Sequence, residues 1–268
     1  MTRTVTAAAF SMPLVIAAVL TTGSAVHAAS VTPDVIFGTG VDNGSFTIDS
    51  QKGVELGLRA KLRFNQAGQP ENTFNWDGND TYTFNPGVAP GQSFPVAEWS
   101  FEWSINTAAD GAGRNLDGLT YALSLTGPAG SGGFSAFDPI NDVNPHPDVN
   151  QVQWDHAIGD NSTGPGGGTV IPNSADDEAG YLDLIANNNV AQNSWQPHWF
   201  VAGFDPTVPG DYIFTLTAID KGGPRASTSM TVRVVPLPAA AWAGLALLGM
   251  MGGVAGLRRK LRQRGFDD

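Results

Sequence analysis

The clearest pattern lies late in the chain. Gly210 to Asp220 alternates larger apolar residues with smaller or polar ones at period two, which puts Tyr212, Phe214, Leu216 and Ala218 on one face of a strand. Lys221-Gly222-Gly223-Pro224 reads as a turn, and Ala226 to Val235 alternates again through Met230, Val232 and Val234. These two strands make a terminal hairpin. Upstream, Ser45 to Asp49, Val54 to Phe64, Thr81 to Phe84, Glu98 to Asn106, Leu119 to Thr126 and Val152 to His156 have strand character. Between them, 75–80, 109–113 and 164–168 have the Gly, Asn, Asp and Pro content of loops. One helix interrupts the series: Ser174 stands as its cap, Asp177 three residues on, and Leu182, Ile185 and Ala186 recur at helical spacing, so the pattern predicts a helix from Ala175 to about Asn189. The whole predicts one mainly β domain over residues 29–234, an antiparallel sandwich with one short helix.

Composition narrows the classes. With 33 Gly and 18 Pro in 268 residues, long helical rods are excluded, while 41% hydrophobic residues suffice for a core. The absence of cysteine removes disulfide frameworks, thiolate metal sites and cysteine nucleophiles. Between residues 29 and 235, Lys52, Arg59, Lys61, Arg63, Arg114, Lys221, Arg225 and Arg233 face 23 acids, a formal charge of −15. Such a surface repels nucleic acid and attracts cations such as calcium.

The ends follow different rules. Residues 1–28 read as a secretory signal peptide: Arg3 is basic, Val5 to Leu20 is mostly apolar, and Val26 and Ala28 suit a cut between Ala28 and Ala29. Residues 239–257 form an uncharged apolar run of 19, long enough at about 1.5 Å per residue to cross a bilayer as one transmembrane helix. Arg258, Arg259, Lys260, Arg262 and Arg264 follow and would stay cytoplasmic, leaving the preceding chain outside. Before the run stands Val235-Pro236-Leu237-Pro238-Ala239, held extended by its two prolines.

Motif, span and basic cluster, in that order at the C-terminus, resemble the sorting signal of the PEP-CTERM class in its VPLPA variant, over residues 235–268. The resemblance implies passage through the secretion machinery, a membrane intermediate held by 239–257, recognition and cleavage near the motif by an exosortase, and delivery to the cell surface or exterior. It also implies a link to exopolysaccharide or biofilm. The terminal hairpin, in turn, resembles the last one of an immunoglobulin-like sandwich.

Within the domain, candidate chemistry is sparse. Trp76, Trp99, Trp103, Trp154, Trp195 and Trp199 could stack on sugar, but Trp99 and Trp103 share one strand face and fit a core, where each indole N–H should find an acceptor. His146, His156 and His198 lack metal-ligand spacing, and no G-x-S-x-G segment occurs, so no residue is assigned a catalytic or metal-ligating role. The Asp155-His156 pair points to opposite faces of a strand, and glycines 164–168 lack the Lys-Ser/Thr of a phosphate loop. The remaining candidate is calcium: the loops around Asp77, Asn79, Asp80 and Asp138, Asn141, Asp142, Asn144 are oxygen-rich and of a kind that can ligate a hard cation, but neither is a twelve-residue EF-hand, and no cofactor is assigned. The expectation is therefore a non-enzymatic surface protein with a structural or adhesive role, the alternative a lectin-like, calcium-dependent carbohydrate-binding module.

Overall fold

The computed structural model describes residues 29–30, 40–42, 44–141, 156–171 and 177–236. Residues 1–28, expected to be a signal peptide, the apolar run 239–257 and the basic cluster lie outside them. Among the described residues no helix is long and apolar enough to cross a membrane.

Two sheets carry the fold. The first runs in the order β1 (Ala29–Ser30), β2 (Thr47–Gln51), β3 (Val54–Phe64), β6 (Trp99–Asn106), β10 (Val190–Trp195) and β9 (Ala157–Gly159), with β4 (Pro70–Thr73) also paired to β3. The second runs β5 (Thr81–Phe84), β12 (Gly223–Val234), β11 (Gly210–Asp220), β7 (Thr120–Thr126) and β8 (Phe134–Phe137). Pairing is antiparallel throughout the first sheet, but β5 lies parallel to β12, with Thr81 opposite Thr231 and Phe84 opposite Val234. The second sheet is thus mixed, not antiparallel as expected. A parallel pair needs a long crossover, and the whole chain from β6 to β11 supplies one.

The core forms where the sheets face each other. Alternation on β3 and β6 turns Leu56, Leu58 and Ala60, and Trp99, Phe101, Trp103 and Ile105, inward, all essentially inaccessible. They meet the second sheet through aromatic contacts: Trp99 lies 5.6 Å from Tyr212 and Phe101 4.5 Å from Phe214, between ring centroids. Each fully buried aromatic contributes about 2–3 kcal/mol of transfer free energy, so this layer dominates the stability of the domain.

Expected and observed elements agree best where alternation is strongest. β3, β5 and β11 have the predicted bounds, and Tyr212, Phe214, Leu216 and Ala218 do share the buried face. β12 begins earlier, at Gly223, whose positive φ of 106° closes a tight turn on Lys221 and Gly222. β2 is shifted to Thr47–Gln51. In place of a strand ending at His156, the described strand starts after it, at Ala157, and residues 152–155 lie outside the described set.

The helix, α1 (Glu178–Asn187), is shorter than predicted. Asp177 is its cap, accepting from the Gly180 N–H at 3.0 Å; Ser174 lies outside the described residues. Its inner face is Tyr181 and Ile185, whereas Leu182 is 49% exposed. The stripe is turned by one residue because the Tyr181 hydroxyl is buried and donates to the Ile140 carbonyl at 2.8 Å, an anchor that apolar spacing does not register.

Candidate functional site

Residues that alternate inward with the core alternate outward with equal regularity. On the outer face of the first sheet, β3 presents Arg59, Lys61 and Arg63, β6 presents Ser100 and Glu102, and β10 presents Ser194. These side chains, with Gln196 and Trp199 after β10, Asn72 of β4 and the segment Gly40–Asp42, line a cleft of about 280 Å³. The wall 40–42 is held by Gln192, whose Oε1 accepts from the N–H groups of Gly40 (2.9 Å) and Val41 (3.2 Å). Gly40 must be small, because a Cβ there would sit 2.3 Å from that of Ala157.

Charge is concentrated here. Three of the domain's eight cations line the cleft, against the carboxylates of Asp42 and Glu102. Arg59 is fully buried: its Nε donates to Glu102 Oε2 at 2.5 Å, its Nη1 to the Gly44 carbonyl at 2.6 Å, and its guanidinium lies 4.1 Å from the Phe46 ring and 4.4 Å from that of Phe74. Lys61 pairs with the other oxygen of Glu102. Oε2 is thus hydrogen-bonded, while Oε1 faces the Lys61 ammonium as an ion pair without a hydrogen bond among the described residues. Arg63 differs. It is half-buried and makes no ion pair or hydrogen bond among the described residues.

Two neutral groups are also unsatisfied. Gln196, 5% exposed, has neither its Nε2 nor its Oε1 bonded among the described residues, and neither has Ser100 Oγ, on a residue 2% exposed. Buried polar atoms without a partner cost about 1–3 kcal/mol each, so their place around a cleft calls for a partner from the cleft side. Trp199, 40% exposed, completes the lining.

Other candidates fall elsewhere. Trp99, Trp103 and Trp195 are core residues, and Trp76 is half-buried beside Tyr82; Trp154 lies outside the described set. The expectation that every buried indole N–H finds an acceptor is not met. Trp103 and Trp195 have none among the described residues, because their neighbours are rings, with Trp103 T-shaped to His156 at 4.8 Å and to Trp195 at 5.2 Å.

His156 is itself a core residue. Its Nδ1 accepts from Asn193 Nδ2 at 3.0 Å, which leaves Nε2–H to donate to the Pro139 carbonyl at 2.7 Å. His198 is half-buried and its pKa is lowered by desolvation; His146 and Asp155 lie outside the described residues. Among those residues no three His, Cys, Asp or Glu side chains cluster as metal ligands would. In the two loops suited to calcium, Asp77 Oδ1 accepts from the Asn79 and Thr81 N–H groups, and Asp138 binds the N–H groups of Tyr121, Ile140 and Asn141. Their oxygens close turns. Asp142 and Asn144 lie outside the described set.

Of the expected sorting motif, Val235 and Pro236 are described, while Leu237, Pro238 and Ala239 are not, nor is Ala28. Val235 is exposed, and Pro236 lines a surface groove with Pro86, Val88 and Pro90. The cleft was not anticipated, yet one signal for it was there: Arg59-x-Lys61-x-Arg63 at period two stacks three cations on one strand face. No family model matches the chain, and no curated protein or solved structure matches it either.

Proposed function

We propose that the chain is an exported cell-surface or extracellular-matrix protein of structural or adhesive role, a substrate of an exosortase-type enzyme rather than a catalyst. Its C-terminal region would be a transmembrane helix over 239–257 until processing, and its domain an immunoglobulin-like sandwich. The terminal hairpin β11–β12, with the early strand β5 laid along its last strand, supports the latter. The observation that best supports processing is the exit of the chain. The last described backbone bond is from the Val235 N–H to the Phe84 carbonyl, 3.0 Å, and Val235 and Pro236 then stand on the surface, where an enzyme can take the following residues without unfolding β12. At the other end, Ala29, first after the proposed cut, opens β1.

The test is the intact mass of the protein recovered from the surface or medium of its own cell, beside a Val235→Ala, Pro236→Ala variant. Loss of the residues beyond about 238 in the parent alone is the expected result. If both keep the tail and remain in the membrane fraction, the segment is an ordinary anchor.

A second reading, that the domain binds carbohydrate, is favoured by Trp199. An exposed indole lining a concave polar cleft gives a sugar ring an apolar face to stack on and hydrogen-bonding groups around its rim.

A further inference from the structure

We propose that the cleft on the outer face of the first sheet takes a carboxylate-bearing sugar residue, a uronic acid within a glycan, with Arg63 as its carboxylate partner. The proposal rests on the carbohydrate-binding reading and adds the ligand's chemical class. Three observations carry it.

The first is the free cation. Arg59 and Lys61 are committed to Glu102, whereas Arg63, two residues further along the same face, is not committed to any acid among the described residues. A guanidinium presents a planar fork of N–H donors that fits a carboxylate edge to edge. The second is the pair of unsatisfied neutral side chains. Gln196 offers a donor and an acceptor and Ser100 a hydroxyl, and both line the cleft with no partner among the described residues. Hydroxyls of a sugar, each donor and acceptor, satisfy such groups; an aliphatic acid would not. The third is Trp199, which supplies the stacking face.

Charge selects the kind of anion. The domain as a whole is acidic and repels polyanions, so a cationic cleft in it is a local exception with a specific use. Within the cleft, Asp42 and Glu102 offset two of the three cations, which leaves a net charge matched to a single carboxylate and too small for a dianionic phosphate. Asp42, exposed at the wall, adds an acceptor for sugar hydroxyls.

The experiment presents the full-length chain, purified in detergent, to an array of neutral, uronate-bearing and sulfated glycans, and measures affinities for the best binder and its methyl ester. Parent, Arg63→Ala, Arg63→Lys and Trp199→Ala proteins are compared, each checked for an unchanged melting transition. The expected result is binding confined to uronate-bearing glycans, lost on esterification, weakened at least ~10-fold by Arg63→Ala, partly restored by Arg63→Lys, and weakened by Trp199→Ala. Binding to neutral glycans that depends on Trp199 but not on Arg63 would overturn the carboxylate assignment while the carbohydrate reading stands. A preference for sulfated glycans overturns it likewise. Failure to bind any glycan overturns both.

Discussion

The two faces of the first sheet are built from the same strands, and both are buried, yet they differ in almost every chemical respect. Inward, β3 and β6 present Leu56, Leu58, Ala60, Trp99, Phe101, Trp103 and Ile105 to a second sheet. Outward, one residue along in each case, they present Glu55, Arg59, Lys61, Ser100, Glu102, Ser104 and Asn106, all less than a tenth exposed. The inner face is covered by a complementary sheet and gains from every contact. On the outer face, among the described residues, Phe46 and Phe74 lie against Arg59 and Val41 and Ile48 cluster with Phe46, and the face holds charges whose desolvation is costly. Burial of apolar surface explains the first face. A buried polar face is weak evidence for stability, so the second face needs a different account.

The sharpest way to break this comparison is at Glu102. Glu102→Ala leaves Arg59 and Lys61 desolvated without their counter-ion, a loss of about 3–5 kcal/mol. Trp99→Ala should cost a similar amount through lost transfer energy and a cavity. The faces part company in a third protein, Arg59→Met, Lys61→Met, Glu102→Leu, because apolar replacements of a whole buried ion cluster are often neutral or stabilising. It should recover most of the loss seen in Glu102→Ala, as read by urea midpoints. If it unfolds as easily as the single variant, the outer face is a packing layer and its charges are structural.

A smaller effect comes from the far end of the same outer row. Glu55, opposite Asn106 on β6, is buried with its Oε1 unpaired among the described residues, and desolvation pushes its pKa up to about 8 from 4.5. The folded state then holds a proton that the unfolded state releases. Because the folded pKa is the higher one, this contribution is complete below pH 4.5 and declines as the pH rises to about 8, by at most about 1.4 kcal/mol per unit. Glu55→Gln should flatten that decline, so that urea midpoints of variant and parent diverge with rising pH, the variant being the more stable at pH 8. Parallel curves would mean that Glu55 is ionised when folded.

The asymmetry also governs what could be read from the chain. β3, β5 and β11 were legible because apolar residues on one face generate a period-two signal that burial enforces. β10 was not. Its inward residues are Ala191, Asn193 and Trp195, and Asn193 there meets the imidazole of His156, which comes from a distant segment. The cation row at 59, 61 and 63 was visible as spacing, but its meaning depends on Glu102, Gln196 and Trp199, which are brought to it by strand pairing. Long-range pairing is what local periodicity leaves out. α1 shows the same in miniature: Tyr181, its ring buried beside His156 and its hydroxyl donating to the Ile140 carbonyl, takes the inner face that spacing gave to Leu182.

The smallest predicted effect tests whether burial, and not ion chemistry, separates the faces. Arg233 and Asp211 pair across β12 and β11 with two bonds of 2.9 Å each, Nε to Oδ1 and Nη2 to Oδ2, a more complete fork than Arg59 makes with Glu102. Both are nearly half exposed. The hydrogen bonds from Arg233 hold the Asp211 carboxyl below the usual range, so whatever this pair contributes is present above the unfolded carboxyl pKa and fades as the pH falls through the folded one. Water competes for every atom involved, and salt screens the rest. Arg233→Ala should accordingly leave the urea midpoint at pH 7 within error of the parent, in low salt and high. A loss approaching that of Glu102→Ala would show that a guanidinium–carboxylate pair has a similar effect wherever it sits, and the contrast between the two faces would then need another cause.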